Sequence, residues 1–113
     1  MSDPGRISED DYRKFVDAGS GWVAENGESL VGFAIIDQAA ATVWALFVDP
    51  GFEGIGVGTA LHNHMIGWAR GRQITKLSLT TGPDTRADHF YRAHGWQEVG
   101  RVDGGEVHFE RPL

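Results

Sequence analysis

The chain has 113 residues, 41% hydrophobic and 23% charged, which suits one domain spanning 1–113 with a modest core. Its formal charge of -6 disfavours nucleic acid as the main partner and suits a cationic small molecule or peptide. With no cysteine, disulfides, zinc–thiolate sites and thiol nucleophiles are excluded. No apolar run approaches the roughly 18 residues of a membrane span. The polar, acidic opening MSDPGRISEDDYRK reads as neither a secretory signal nor an Arg-rich transit peptide, so a cytoplasmic protein is the expectation.

Within an N-terminal region 1–20, Ser8 to Ala18 reads as a short helix. Ser8 caps it, Asp10 and Asp11 suit its positive end, and Tyr12, Phe15 and Val16 form its stripe. Gly19 and Gly21 stop it. Trp22 to Glu25 and Glu28 to Asp37 read as strands around Asn26-Gly27, a strong hairpin signal. Ala41 to Val48 is a third strand, almost continuously apolar, as for a strand covered on both faces. Asp49-Pro50 ends it, and GFEGIGVGTAL follows, Gly51 to Leu61.

After that glycine-rich turn, Thr59 to Arg72 reads as a helix with Leu61, Met65, Trp68 and Ala69 on one face. Lys76 to Thr80 is a strand in which Leu77 and Leu79 alternate with polar residues. Asp84 caps a helix running to about His94, with Ala87, Phe90, Tyr91 and His94 on one face, and Gly95 ends it. Trp96 to Val102 and Glu106 to Arg111 are strands joined across Asp103-Gly104-Gly105. The order α-β-β-β-α-β-α-β-β predicts an α/β mixed sheet, not a doubly wound one. Helical crossovers make its middle parallel.

A strand, a glycine turn and a helix start together suggest a phosphate cradle. A P-loop would put lysine where Val57 stands, and a dinucleotide fingerprint would put glycine where Thr59 stands, so neither fits. What remains is x-x-Gly-x-Gly over residues 54 to 58. Its glycines let backbone N–H groups turn inward at the positive end of a helix. On this turn alone, a connection with no ligand stays equally open.

Two longer patterns decide between these. VDPGFEGIGVGTAL places Val48, Pro50, Gly56 and Gly58 as in the strand-to-helix turn of the GNAT acyl-CoA N-acyltransferases. DTRADHFYRAHGW places Ala87, Phe90, Tyr91, Gly95 and Trp96 as in that family's later F-Y motif. From Trp22 to the C-terminus the chain resembles this family. The resemblance implies a mostly antiparallel sheet with a parallel central strand pair and helices on both faces.

It also implies that acetyl-CoA is the co-substrate and a primary amine the acceptor; no metal is expected, and the charge and the lack of a long apolar run leave no nucleic acid and no membrane among the expected partners. The pyrophosphate would lie on the N–H groups of Glu53, Gly54, Ile55, Gly56, Val57, Gly58 and Thr59. The pantetheine arm would run along the third strand near Phe47 and Val48, and a backbone N–H near Val48 would polarise the thioester. The implied general acid is Tyr91.

The sequence departs from the family pattern in three places. Glu53 stands where Gln or Arg is usual, which implies weakened cofactor affinity. Asp84 replaces Asn, a comparable cap. The usual first strand and first helix are missing, leaving one helix before the hairpin, so a partner copy in a homodimer is expected to complete the acceptor wall.

Glu25, Asp37, His62, His64, His89 and His108 are base candidates by type alone, and none is singled out. His62 and His64 lie two apart on a helix and make no metal pair. Trp22, Trp44, Trp68 and Trp96 read as core or interface aromatics. The alternative functions are a non-catalytic acyl-CoA-binding or regulatory module and an interaction domain that binds nothing at its glycine turn.

Overall fold

The computed structural model describes residues 6–10, 19–27, 29–52, 54 and 56–113. Among these residues, seven strands and two α-helices follow in the order β1 (Arg6–Asp10), β2 (Gly19–Asn26), β3 (Ser29–Asp37), β4 (Thr42–Val48), α1 (Val57–Gly71), β5 (Lys76–Thr81), α2 (Arg86–Ala93), β6 (Gln97–Arg101) and β7 (Val107–Pro112). All strands join one sheet in the order β1-β2-β3-β4-β5-β7-β6. Every neighbouring pair is antiparallel except the central one, β4 with β5. The mixed sheet expected from the sequence is therefore present. No helix among the described residues is long and apolar enough to cross a membrane.

The central pair is where the sheet opens. β4 and β5 share one register contact, Thr42↔Ser78, backed by the Ser78 N–H donating to the Ala41 carbonyl. The Leu46–Val48 end of β4 is left without a strand partner on that side among the described residues. A bulge also interrupts β4: Ile35 and Ile36 are consecutive in β3, but their partners Ala45 and Val43 skip Trp44. These features overturn the expectation of a third strand covered on both faces. Trp44 is 55% exposed and Phe47 48% exposed.

Helix α1 crosses this region and packs against β2, β3 and β4. Val57, Leu61, His62, Met65, Ile66 and Ala69 form its buried stripe, at the three- and four-residue spacing that keeps one helix face inward. A fully buried side chain such as Leu61 or Met65 contributes about 1.5–3 kcal/mol. The helix sits close to the sheet because β3 offers no side chain at Gly32. A Cβ there would lie 2.8 Å from the Phe47 carbonyl oxygen and 3.0 Å from Leu61.

Three local expectations are corrected. Arg6–Asp10 is a strand paired antiparallel with β2, Arg6 opposite Glu25, and not the first turn of a helix. A strand therefore precedes the hairpin, and residues 11–18 of the expected helix lie outside the described residues. At the β2–β3 turn, Asn26 is still in the ladder, paired with Ser29, and Gly27 follows it with φ 66°. At α2 the cap is Thr85, whose hydroxyl accepts the Asp88 N–H at 3.1 Å. Asp84, one residue earlier, takes a positive φ of 56° and donates its N–H to the Asp88 carboxylate at 2.8 Å. This reciprocal arrangement is a variant of the capping box. Gly95 adopts the expected left-handed conformation after the helix, φ 90°.

Candidate active site

Where β4 and β5 part, a cavity of about 590 Å³ opens. Among the described residues it is lined from β4 by Leu46, Phe47 and Val48, and from the following turn by Pro50, Gly54 and Gly56. Gly58 and Thr59 of α1 close one wall, and Arg86, Ala87, Phe90 and Tyr91 of α2 the other. Of the residues expected at the site, Phe47, Val48, Gly54, Gly56, Gly58, Thr59 and Tyr91 are thus brought together. Val57 is not on the lining, because its side chain is buried beneath Gly32 in the core. Glu53 and Ile55 lie outside the described residues.

The α1 wall is made of backbone. Gly54 and Gly56 have φ of 81° and 94°, conformations open to glycine and costly for other residues. Gly56 starts α1 with no side-chain cap, and the first intrahelical bond runs from the Ala60 N–H to the Gly56 carbonyl. The first-turn N–H groups ahead of it suit an anion at the positive end of the helix. Gly58 brings the two walls together: a Cβ there would meet Phe90 at 3.2 Å and Val48 at 3.4 Å.

The α2 wall is made of side chains. Tyr91 is 6% exposed, held by ring contacts to Trp96 at 5.4 Å, Phe90 at 5.5 Å and Phe109 at 6.1 Å between centroids. Burial alone pushes its phenol up to about 12, so it stays protonated at neutral pH. Beneath this wall lies His62. The Trp96 indole N–H, which can only donate, reaches its Nε2 at 2.9 Å. Nε2 must therefore be bare and the proton must sit on Nδ1, facing Asn63 Oδ1 at 3.4 Å. Burial holds the His62 imidazole down to about 4, against the smaller opposing effect of Asn63 and helped by His94 and Arg111.

None of the base candidates lines the cavity among the described residues. His62 is committed to Trp96, His64 and His89 are exposed, and Asp37 accepts the Ala40 N–H in the β3–β4 turn. Glu25 and His108 lie on β2 and β7. Five lining residues were not on the expected set: Leu46, Pro50, Arg86, Ala87 and Phe90. Ala87 and Phe90 stand in the quoted F-Y pattern, which carried the signal for them. Arg86 lies one turn before Phe90 on the same helix and was available to the same spacing argument.

Residues 2–96 match the family model of the acetyltransferase (GNAT) family. The chain belongs to the GNAT family. Among GNAT relatives, the N-alpha-acetyltransferase RimI of Mycobacterium tuberculosis is 33% identical over 100 residues, covering 78% of this chain and 62% of that protein. The uncharacterized N-acetyltransferase MJ1207 of Methanocaldococcus jannaschii is 33% identical over 93 residues, covering 74% of this chain and 41% of that one. The chain therefore spans about two fifths to three fifths of the length of these relatives. The GNAT fold is seen in the crystal structure of the PaiA N-acetyltransferase of Thermoplasma acidophilum in complex with coenzyme A. It aligns with a TM-score of 0.74 at 18% identity, over 82% of this chain and 60% of that one.

Proposed function

We propose that residues 1–113 form one acetyltransferase domain that moves an acetyl group from acetyl-CoA to a primary amine of a small molecule or peptide, by direct attack of the amine on the thioester. The observation that carries this reading is the cavity itself. It joins an uncapped helix start, a strand end unpaired on its β5 side among the described residues and a protonated phenol in one space. The coenzyme A held by the Thermoplasma protein supports the ligand class. The N-alpha activity named for the mycobacterial relative supports a peptide N-terminus among the acceptors.

In this reading the N–H groups from Glu53 to Thr59 hold the pyrophosphate, and Gly54, Gly56 and Gly58 leave room for it. The residue pair Phe47 and Val48 offers the edge of β4 to the pantetheine arm as to an added strand. A backbone N–H near Val48 polarises the thioester carbonyl. Tyr91 gives its proton to the departing thiolate. The burial that raises its phenol acts on that thiolate too, so the acid and its target remain matched.

A homodimer is part of the proposal and rests on Trp44, a large apolar side chain exposed on β4; sedimentation at micromolar concentration tests it. A second function, a non-catalytic acyl-CoA-binding module, is favoured by the cavity lining, which holds neither carboxylate nor histidine among the described residues. Calorimetry with acetyl-CoA, followed by thiol release against a panel of amines and peptide N-termini, separates the readings. Binding with release supports the enzyme, and binding without release the module. No binding removes both.

A further inference from the structure

One side chain on the cavity wall, Thr59, is tied to a histidine that the proposed reaction does not use. The Nδ1 of His94 lies 2.8 Å from the Phe90 carbonyl oxygen, and its Nε2 lies 3.0 Å from the Thr59 hydroxyl. A carbonyl can only accept, so Nδ1 carries a proton in either charge state. With the imidazole neutral, Nε2 is bare and the Thr59 hydroxyl must donate to it. The Thr59 hydroxyl then has only lone pairs left to offer a ligand, the wrong polarity for an anion. With the imidazole protonated, Nε2–H donates instead, and the Thr59 hydrogen is released to donate elsewhere.

The rest of the site makes this exchange usable. His94 is locked in place by stacking on Phe90, a lining residue, with centroids 4.0 Å apart and planes 21° apart. Among the described residues, the titratable and charged groups facing it are His62 of α1, 5.1 Å away between ring centroids, and Arg111 of β7, which donates to the His94 carbonyl at 3.0 Å. Both are bases, so neither supplies a counter-charge to an imidazolium. A phosphate in the cavity does.

Building on the acyl-CoA reading of the cavity, we propose that His94 is a positioning residue that reverses the Thr59 hydrogen bond, so that the pyrophosphate is bound together with one proton from solvent. The proton goes onto Nε2, and the hydroxyl of Thr59 turns from acceptor to donor toward the ligand. Each ligand bound takes up one proton in this exchange. Affinity therefore rises as pH falls.

The test is calorimetric titration with dephospho-coenzyme A, whose pyrophosphate does not titrate in that range. It is run between about pH 5.5 and 8 in two buffers of different ionisation heat. The native protein is expected to bind about tenfold more weakly at the upper limit, and the buffer comparison to show proton uptake. His94→Gln and Thr59→Val should flatten the dependence and Thr59→Ser keep it, with thermal unfolding reporting whether each variant folds. Binding that is flat in pH, stronger at high pH, or equally sloped in His94→Gln overturns the proposal and leaves the acyl-CoA reading standing. No binding at any pH overturns both. The proton-uptake measurement needs no variant and decides the matter even where a substitution fails to fold.

Discussion

The two walls of the cavity are built from different material. On the α1 side Gly54, Gly56 and Gly58 present main chain, and their contribution is conformation and space. On the α2 side Tyr91 and Phe90 present side chains, held by an aromatic cluster that reaches Trp96, His62 and Phe109. The difference tells where substitutions act. At the glycines of the first wall a change works through φ or a clash, whatever the chemistry of the new side chain. On the second it works through a proton or a ring that can be removed with the backbone left in place.

The sharpest break between the walls is Tyr91→Phe. It removes one hydroxyl, keeps the ring contacts and leaves the N–H groups of α1 untouched. Turnover should fall by about 10²–10⁴-fold, the usual scale of general acid catalysis, with acetyl-CoA affinity unchanged by calorimetry. Equal losses in turnover and affinity would move Tyr91 from the chemistry to the binding surface.

The same phenol sets an alkaline limit. Below pH 10, its ordinary value, Tyr91 is protonated in both folded and unfolded chains, and the full stability is present. Between 10 and about 12 the unfolded chain loses the proton while the folded chain keeps it. Stability then falls with rising pH, by about 2–3 kcal/mol in all. Urea unfolding across this range should show the slope in the native protein and a shallower one in Tyr91→Phe. Identical slopes would mean that the phenol is not desolvated.

His62 gives the opposite limb. Its ordinary value is 6.5 and its folded value about 4. Above 6.5 it is neutral in both states, and as pH falls toward 4 only the unfolded chain takes up the proton, so stability is lost. His62→Leu should abolish this limb. At neutral pH the same variant costs about 1–3 kcal/mol, because the buried Trp96 N–H loses its acceptor. An unchanged acid limb in that variant would assign it to another group.

These residues also show how far the sequence could be read. The glycine turn and the F-Y helix were legible because both are local patterns with fixed spacing, and the strand β5 between them because Leu77 and Leu79 alternate with polar residues. The first element was not. Tyr12, Phe15 and Val16 carry helical spacing, whereas the strand at Arg6–Asp10 exists through its pairing with β2, which no local pattern records. Exposure of Trp44 and Phe47 was hidden for the same reason: β4 is apolar from Val43 to Val48, and no local pattern records which of those side chains the rest of the fold leaves uncovered. The Thr85–Asp88 cap was legible in the spacing of those two residues, yet Asp84 competed for the role by type. The Thr59–His94 bond joins residues 35 apart and depends on two helices meeting, so it belongs to the fold alone.

The smallest effects test the backbone wall by itself. Gly56 and Gly67 both have open space where a Cβ would go, with no heavy atom within 4 Å, so a clash cannot distinguish them. They differ in conformation: Gly56 has φ 94°, while Gly67 lies inside α1. Alanine at 56 must hold a left-handed conformation and should cost about 1–2 kcal/mol. Alanine at 67 keeps helical geometry, removes chain entropy from the unfolded state and should stabilise by about 0.5–1 kcal/mol. Denaturant midpoints that move in opposite directions would establish that the cradle glycine is there for its φ. If both variants were stabilised, Gly56 would be an ordinary helix residue, and the N–H groups of the turn would not be held in place before the ligand arrives.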